Sequence, residues 1–231
     1  MHQMTEPISN YIDHTLLKSV CTLAEIEKLC QEAVENRFAA VCVPPFVVPQ
    51  ALEWLTNTPV HTATVIGFPF GYSSLDSKMA ETRLALQQGV DELDVVINLI
   101  ALKNKEWSYV EKEIKELVSM IHGKGKIIKV IVESGVLSDE EIGHCCSIFG
   151  PLGIDFMKTS TGYAEPGATV EAVQLMRSLL PPTVQIKASG GIRHYAFAKE
   201  LLDAGASRLG CSAGLQILKE EKQALSLEKI V

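Results

Sequence analysis

The chain lacks the patterns that would assign it to several common protein classes. Its six cysteines, at positions 21, 30, 42, 145, 146 and 211, form no CxxC pair and have no His-rich partner motif. Neither a zinc site nor a disulfide framework is therefore indicated. No Lys/Arg block is dense enough to follow a nucleic acid backbone or hold an anionic membrane, and the formal charge of -7 opposes both partners. No segment reaches the ~20 apolar residues of a membrane span, and residues 1–10 contain no basic region followed by an apolar stretch. Low-complexity tracts and inter-domain linkers are missing too. The expectations are a reducing cytoplasm and one domain over residues 1–231. In so acidic a chain, an anionic ligand would require a local positive pocket.

What is present is alternation. Short runs rich in β-branched residues, at about 11–14, 39–43, 61–67, 91–97, 126–133, 153–159, 183–188 and 206–210, alternate with helical patterns. Eight such runs fit a closed (β/α)8 barrel with a short N-terminal helical segment; six or seven would fit a doubly wound open sheet. Thr22-Leu23-Ala24-Glu25 and Ser138-Asp139-Glu140-Glu141 match the capping box that starts a helix. Gly89-Val90-Asp91, Gly153-Ile154-Asp155 and Gly205-Ala206-Ser207 each stand before a strand, where glycine can take the left-handed turn that ends a helix. The stretch after Gly214 reads as a last helix.

Two of these runs carry a lysine at matching positions, Lys158 and Lys187. A lysine in water titrates near ~10.4 and is almost wholly protonated at neutral pH. Burial or a second ammonium lowers that value and frees the lone pair for attack on a carbonyl. Adjacent strands lie ~4.8 Å apart, so two lysines at equivalent places could supply the repulsion. By the two-residue strand period, Asp94 shares a face with Val96 and Asn98, and Lys129 with Ile127, Ile131 and Glu133. Counted as barrel staves, Asp94, Lys129, Lys158 and Lys187 fall on consecutive strands. A buried Asp94 needs a partner, and these lysines are the candidates.

Glycine loops follow the last two runs: Ser189-Gly190-Gly191-Ile192-Arg193 and Leu209-Gly210-Cys211-Ser212-Ala213-Gly214. In such barrels these loops frequently form a phosphate site, because glycine lets backbone N–H groups approach the anion. Arg193 would sit beside the anion or cap a helix. Each feature has a plainer reading. A lone strand-end lysine is more often a solvated rim residue, Asp94 could be a structural ion pair, and a Gly-Gly pair could be a turn. Cys42 and Cys145-Cys146 read as packed thiols and His14 as a satisfied histidine.

Together the motifs resemble the deoxyribose-phosphate aldolase family in order and spacing. They are Tyr11-Ile12-Asp13-His14-Thr15-Leu16-Leu17-Lys18, Val41-Cys42-Val43-Pro44-Pro45, Val65-Ile66-Gly67-Phe68-Pro69-Phe70-Gly71, Glu92-Leu93-Asp94-Val95-Val96-Ile97-Asn98, Lys129-Val130-Ile131-Val132-Glu133-Ser134-Gly135, Lys158-Thr159-Ser160-Thr161-Gly162 and Lys187-Ala188-Ser189-Gly190-Gly191-Ile192-Arg193. The likeness runs over about residues 11–214. It implies a (β/α)8 barrel that reversibly cleaves 2-deoxy-D-ribose 5-phosphate to D-glyceraldehyde 3-phosphate and acetaldehyde, in deoxyribose phosphate catabolism, with no metal or organic cofactor. By the same resemblance Lys158 forms the Schiff base, Lys187 lowers its pKa and transfers protons, and Asp94 shuttles protons with it through ordered water. Lys129 belongs to that relay. Asp13, Thr15 and Thr161 contact the sugar, while Gly162, Gly190, Gly191, Arg193, Gly210 and Ser212 surround the phosphate. A homodimer is the family habit.

Three positions depart from family patterns. Tyr163 stands where some members have a phosphate-holding lysine, Ala213 where a serine is often found, and no tyrosine follows Tyr195. The first two bear on phosphate preference, the third on the proton relay. Two other readings compete: a different Schiff-base phosphosugar aldolase, transaldolase-like or acting on keto acids, and a phosphosugar-binding barrel without turnover.

Overall fold

Every strand-like run becomes a stave of one closed parallel barrel. β1 (Ile12–Thr15), β2 (Ala40–Val43), β3 (His61–Ile66), β4 (Glu92–Val96), β5 (Ile127–Ile131), β6 (Phe156–Lys158), β7 (Gln185–Ser189) and β8 (Arg208–Cys211) pair in chain order, and β8 pairs back to β1. The doubly wound alternative is thereby excluded. The computed structural model describes residues 6–228; the sequence readings that rest on residues 1–5 and 229–231 lie outside them. The run at 153–159 contracts to three residues because Gly153, at φ +75°, is still turning the chain into the barrel.

The helices are α1 (Leu23–Asn36), α2 (Val48–Trp54), α3 (Leu75–Gln88), α4 (Leu99–Lys103), α5 (Trp107–His122), α6 (Asp139–Phe149), α7 (Val170–Leu179), α8 (Tyr195–Asp203) and α9 (Gly214–Glu228). None among the described residues is long and apolar enough to cross a membrane. Both sequence-level capping boxes form: Thr22 and Glu25 exchange hydrogen bonds at the start of α1, and Ser138 and Glu141 at the start of α6. Gly89 ends α3 in the left-handed region. A 3-10 turn at Ile8–Tyr11 supplies the expected N-terminal helical segment, and the Ile8 N–H donates to Glu221 on α9 at 3.0 Å.

The Gly-x-Asp recurrence has a function beyond ending helices. The Asp91 carboxylate accepts the Thr62 N–H at 3.0 Å and that of Asp155 accepts the Ile128 N–H at 2.9 Å. Each aspartate, at the entry to its own strand, thus satisfies a backbone donor of the preceding stave, fixing register at the amino end of the barrel.

Strand alternation divides the two faces. Leu93, Val95, Ile97, Ile128, Val130 and Val132 point outward into the apolar layer shared with the helices. Each such side chain contributes about 1.5–3 kcal/mol on burial. The inner face is far more polar. Stability therefore resides in the outer layer, and the interior is free to hold charge.

One buried ion pair sits in that outer layer. Lys78 on α3 donates to Glu113 on α5 at 2.8 Å and to the Val96 carbonyl at 2.7 Å, while Glu113 accepts the Asn98 N–H at 2.9 Å. Both side chains are fully buried, and together they anchor the carboxyl end of β4. Removing one partner strands the other charge, which typically costs about 3–5 kcal/mol. Urea unfolding of Lys78→Met should therefore show a loss of that order, while Lys78→Met combined with Glu113→Leu should recover part of it.

Candidate active site

Barrel register places the two lysines of the sequence motif directly opposite each other. Lys158 and Lys187 are Cα partners across β6 and β7, and Asp94 and Lys129 are Cα partners across β4 and β5. Asp94 is completely buried. Its Oδ1 accepts from Lys129 Nζ at 2.7 Å, and its Oδ2 accepts from both Lys158 Nζ and Lys187 Nζ at 2.7 Å. The two ammonium groups thus share one carboxylate oxygen. The four ionisable groups expected on consecutive staves do converge.

Behind them lies a second tier, of which the sequence motifs single out Asp13 but not Glu92 or Arg208. Asp13 on β1 bonds Lys187 at 2.5 Å and Arg208 at 2.7 Å. Glu92 bonds Lys129 at 2.5 Å and Arg208 at 3.2 Å. The signal was available, because the period that turns Asp94 inward also turns Glu92 inward, and Arg208 stands two residues before Gly210. Arg208 further lies over the Phe156 ring, 5.4 Å from its centroid.

Within this network three carboxylates (Asp13, Glu92, Asp94) meet four cations (Lys129, Lys158, Lys187, Arg208). One positive charge is in excess, and the pKa directions show which amine holds its proton least firmly. Burial alone would raise the Asp94 carboxyl, but Lys129, Lys158 and Lys187 hold it well below the usual range. Burial also opposes the charge on Lys187, yet Asp13 and Asp94 keep it a firm ammonium, above the usual lysine value. The same contest leaves Glu92 at about 2 and Lys129 raised. Lys158 alone of these lysines is lowered, first by burial and then by Lys187, with Asp94 opposing. The lysine repulsion expected from strand spacing is thus secondary to desolvation.

A cavity of about 330 Å³ opens over the carboxyl ends of the strands, with Lys158 on its wall. Thr15, Thr161, Gly162, Gly190, Gly191, Arg193, Gly210 and Ser212, all expected around the substrate, line it together. Asp13 does not. It is fully buried, and its two carboxylate oxygens pair with Lys187 and Arg208. Asp94, Lys129 and Lys187 likewise stand behind the wall rather than on it. Among the described residues no carboxylate lines the cavity, which makes it the local positive pocket an acidic chain needs.

Close packing shapes the wall. A Cβ on Gly210 would lie 2.9 Å from Lys187 Cε, so the glycine leaves room for that side chain. A Cβ on Gly167 would meet the Gly190 carbonyl oxygen at 2.4 Å, and the Ala168 N–H donates to that same oxygen at 3.1 Å. The loops after β6 and β7 therefore touch backbone to backbone. Glu133, in the left-handed region at φ 56°, accepts hydrogen bonds from both the N–H and the hydroxyl of Thr161. Burial pushes its carboxyl up, the Thr161 bonds opposing. Cys42, expected as a packed thiol, is buried with Ala63 and Val65 and burial pushes it up to about 11. His14 bonds Glu32 at 2.8 Å and packs on Phe38, although its Nδ1 has no partner among the described residues.

These features define a class: a (β/α)8 barrel with a buried amine at the wall of a cation-lined cavity. Comparison with known proteins carries the assignment further. The DeoC/LacD family aldolase model matches residues 8–220, and the chain belongs to that family. The deoxyribose-phosphate aldolase of Caldicellulosiruptor saccharolyticus is 47% identical over 215 residues, covering 93% of this chain and 98% of the relative. That of Thermococcus gammatolerans is 46% identical over 219 residues, covering 94% and 97%. The solved tetrameric deoxyribose phosphate aldolase from Aeropyrum pernix superposes with a TM-score of 0.89 at 29% identity, covering 96% of this chain and 94% of that one.

The lowered Lys158 makes a pH-dependent prediction. Its neutral fraction grows as pH rises through its own pKa, so reductive methylation of Lys158 by formaldehyde should accelerate at lower pH than for an exposed lysine. Asp94 favours the charged form, so Asp94→Asn should move that limb to still lower pH. Peptide-resolved labelling rates across a pH series check both.

Proposed function

We propose that the protein reversibly cleaves 2-deoxy-D-ribose 5-phosphate into D-glyceraldehyde 3-phosphate and acetaldehyde through an imine on Lys158. The carrying observation is the position of Lys158. It reaches the cavity wall, is nearly fully buried and is held below its ordinary pKa beside the firm ammonium of Lys187. Family membership supports the aldol chemistry, and the names of the relatives support the sugar.

The neutral Lys158 amine adds to the C1 aldehyde of the open-chain sugar, and the carbinolamine loses water to give a protonated imine. The C3 hydroxyl then gives up its proton, the C2–C3 bond breaks, and its electron pair moves into the iminium. D-Glyceraldehyde 3-phosphate leaves and an enamine remains, which is far more stable than a free carbanion. Protonation at the enamine carbon and addition of water release acetaldehyde and restore the amine.

In this reading Lys187 and Asp94 move the protons. Asp94 Oδ2 touches both ammonium groups, giving a proton a path of two hydrogen bonds between Lys187 and the reacting nitrogen. Such acid/base assistance is worth ~10²–10⁴ in rate. Lys129 acts at one remove, holding the other Asp94 oxygen. Thr15 and Thr161 face the sugar, and Gly162, Gly190, Gly191, Gly210 and Ser212 face the phosphate, with Arg193 as its cation.

Reduction with borohydride in the presence of acetaldehyde should leave an ethyl group on Lys158. Peptide mapping that finds the label on another lysine of active protein would refute the assignment. Lys158→Leu should abolish turnover, and Asp94→Asn should slow it by about a hundredfold or more.

A further inference from the structure

The cavity has a second cation at its mouth that the reaction as described leaves without a task. Lys18, in the loop after β1, lines the cavity with Arg193; after the Thr22 hydrogen bonds, its charge helps to lower the Glu25 carboxyl, but among the described residues neither cation is closed into a salt bridge. Lys18 and Ser212 also jointly line a neighbouring cavity, with Glu25 and Glu32 on its other wall, which places the lysine between those carboxylates and the glycine loop that follows β8.

The segment carrying Lys18 is fastened across the mouth. Tyr163, after β6, donates its hydroxyl to the Leu17 carbonyl oxygen at 2.8 Å. Its ring stands edge-on to Phe68 with centroids 5.3 Å apart, and its N–H donates to Thr161 Oγ1 at 3.1 Å. A half-exposed aromatic ring thus ties the loop after β1 to the loop that begins at the reacting lysine.

From this juxtaposition we propose that Lys18, held in place by the Tyr163–Leu17 hydrogen bond, is a specificity-determining residue that binds the substrate phosphate together with Arg193. The proposal rests on the phosphosugar reading above. A phosphate dianion satisfies some of its oxygens with backbone N–H groups at the glycine loops, but these carry only partial charge. A compact ammonium on a flexible stem is a general phosphate partner and needs no fixed angle. In a chain of net charge -7, a cavity with no carboxylate among its described lining residues, and with Lys18 and Arg193 at its mouth, fits that demand, Glu25 being the anion that competes for Lys18. Because Lys18 is exposed, its contribution should be weakened by salt.

The test compares two substrates and one inert ligand. For Lys18→Met, the ratio of kcat/KM on 2-deoxy-D-ribose 5-phosphate to that on 2-deoxy-D-ribose should fall about tenfold, through KM on the phosphorylated sugar. Lys18→Arg should recover most of it, and the effect should shrink at high ionic strength. Calorimetric titration with inorganic phosphate should show the same weakening without any turnover. Tyr163→Phe keeps the ring but releases Leu17, and should lower the ratio less, with non-additivity in the double variant. Unaltered phosphate binding and an unaltered ratio in Lys18→Met would overturn the role of Lys18, while strict additivity would overturn the role of the latch. Absence of turnover on either sugar, with phosphate binding still weakened by Lys18→Met, would refute the reaction and leave the site standing.

Discussion

The architecture of this site depends on one carboxylate. Asp94 accepts hydrogen bonds from three lysines in a space that excludes water. Three ammonium groups so enclosed could not coexist without it, because each unpaired buried charge costs several kcal/mol. Nor would one anion suffice. Asp13 and Glu92 each hold a lysine and Arg208, spreading the balance over six of the eight staves. The lowered pKa of Lys158 is then a property of the whole interior. With one cation in excess, the proton most easily lost is on the amine that has only a shared carboxylate oxygen as partner.

Such an interior contributes little to stability, and the fold compensates on its other face. The outward residues of the strands pack with the helices into an apolar layer, and the Lys78–Glu113 pair fastens the end of β4 from that side. At the amino end, Asp91 and Asp155 lock neighbouring staves by accepting backbone N–H groups. Holding the scaffold from outside and below leaves the carboxyl ends free for loops chosen for binding.

Much of this was legible before any coordinates. Eight β-branched runs with capping boxes and strand-entry glycines sufficed for the barrel, since local signals and topology agree. Lys158, Lys187, Asp94 and Lys129 were visible because strand period and stave order together place them. The tier behind them was harder to see. Arg208 opens its strand and Glu92 lies one step below Asp94, so both look like entry residues until barrel closure brings β8 and β4 to the same interior. Asp13 is expected at the sugar only by resemblance, and its ion pair with an arginine 195 positions away has no local signal. Glu133 was placed by strand alternation, but its left-handed backbone breaks that alternation and turns it to Thr161. Long-range pairs of this kind exist only once the chain has closed on itself.

The contact between Gly167 and Gly190 has a mechanical consequence. With no side chain between them and a hydrogen bond from Ala168 to the Gly190 oxygen, the loops after β6 and β7 form one piece of wall. Thr159 and Ser189 extend that piece downward through paired hydrogen bonds, next to the two lysines. In the proposed reaction, a pull on a phosphate held at these loops is thereby delivered to the strands that carry Lys158 and Lys187. Grip at the far end of a ligand becomes aim at the near end, the way binding energy from a non-reacting group is spent on orientation.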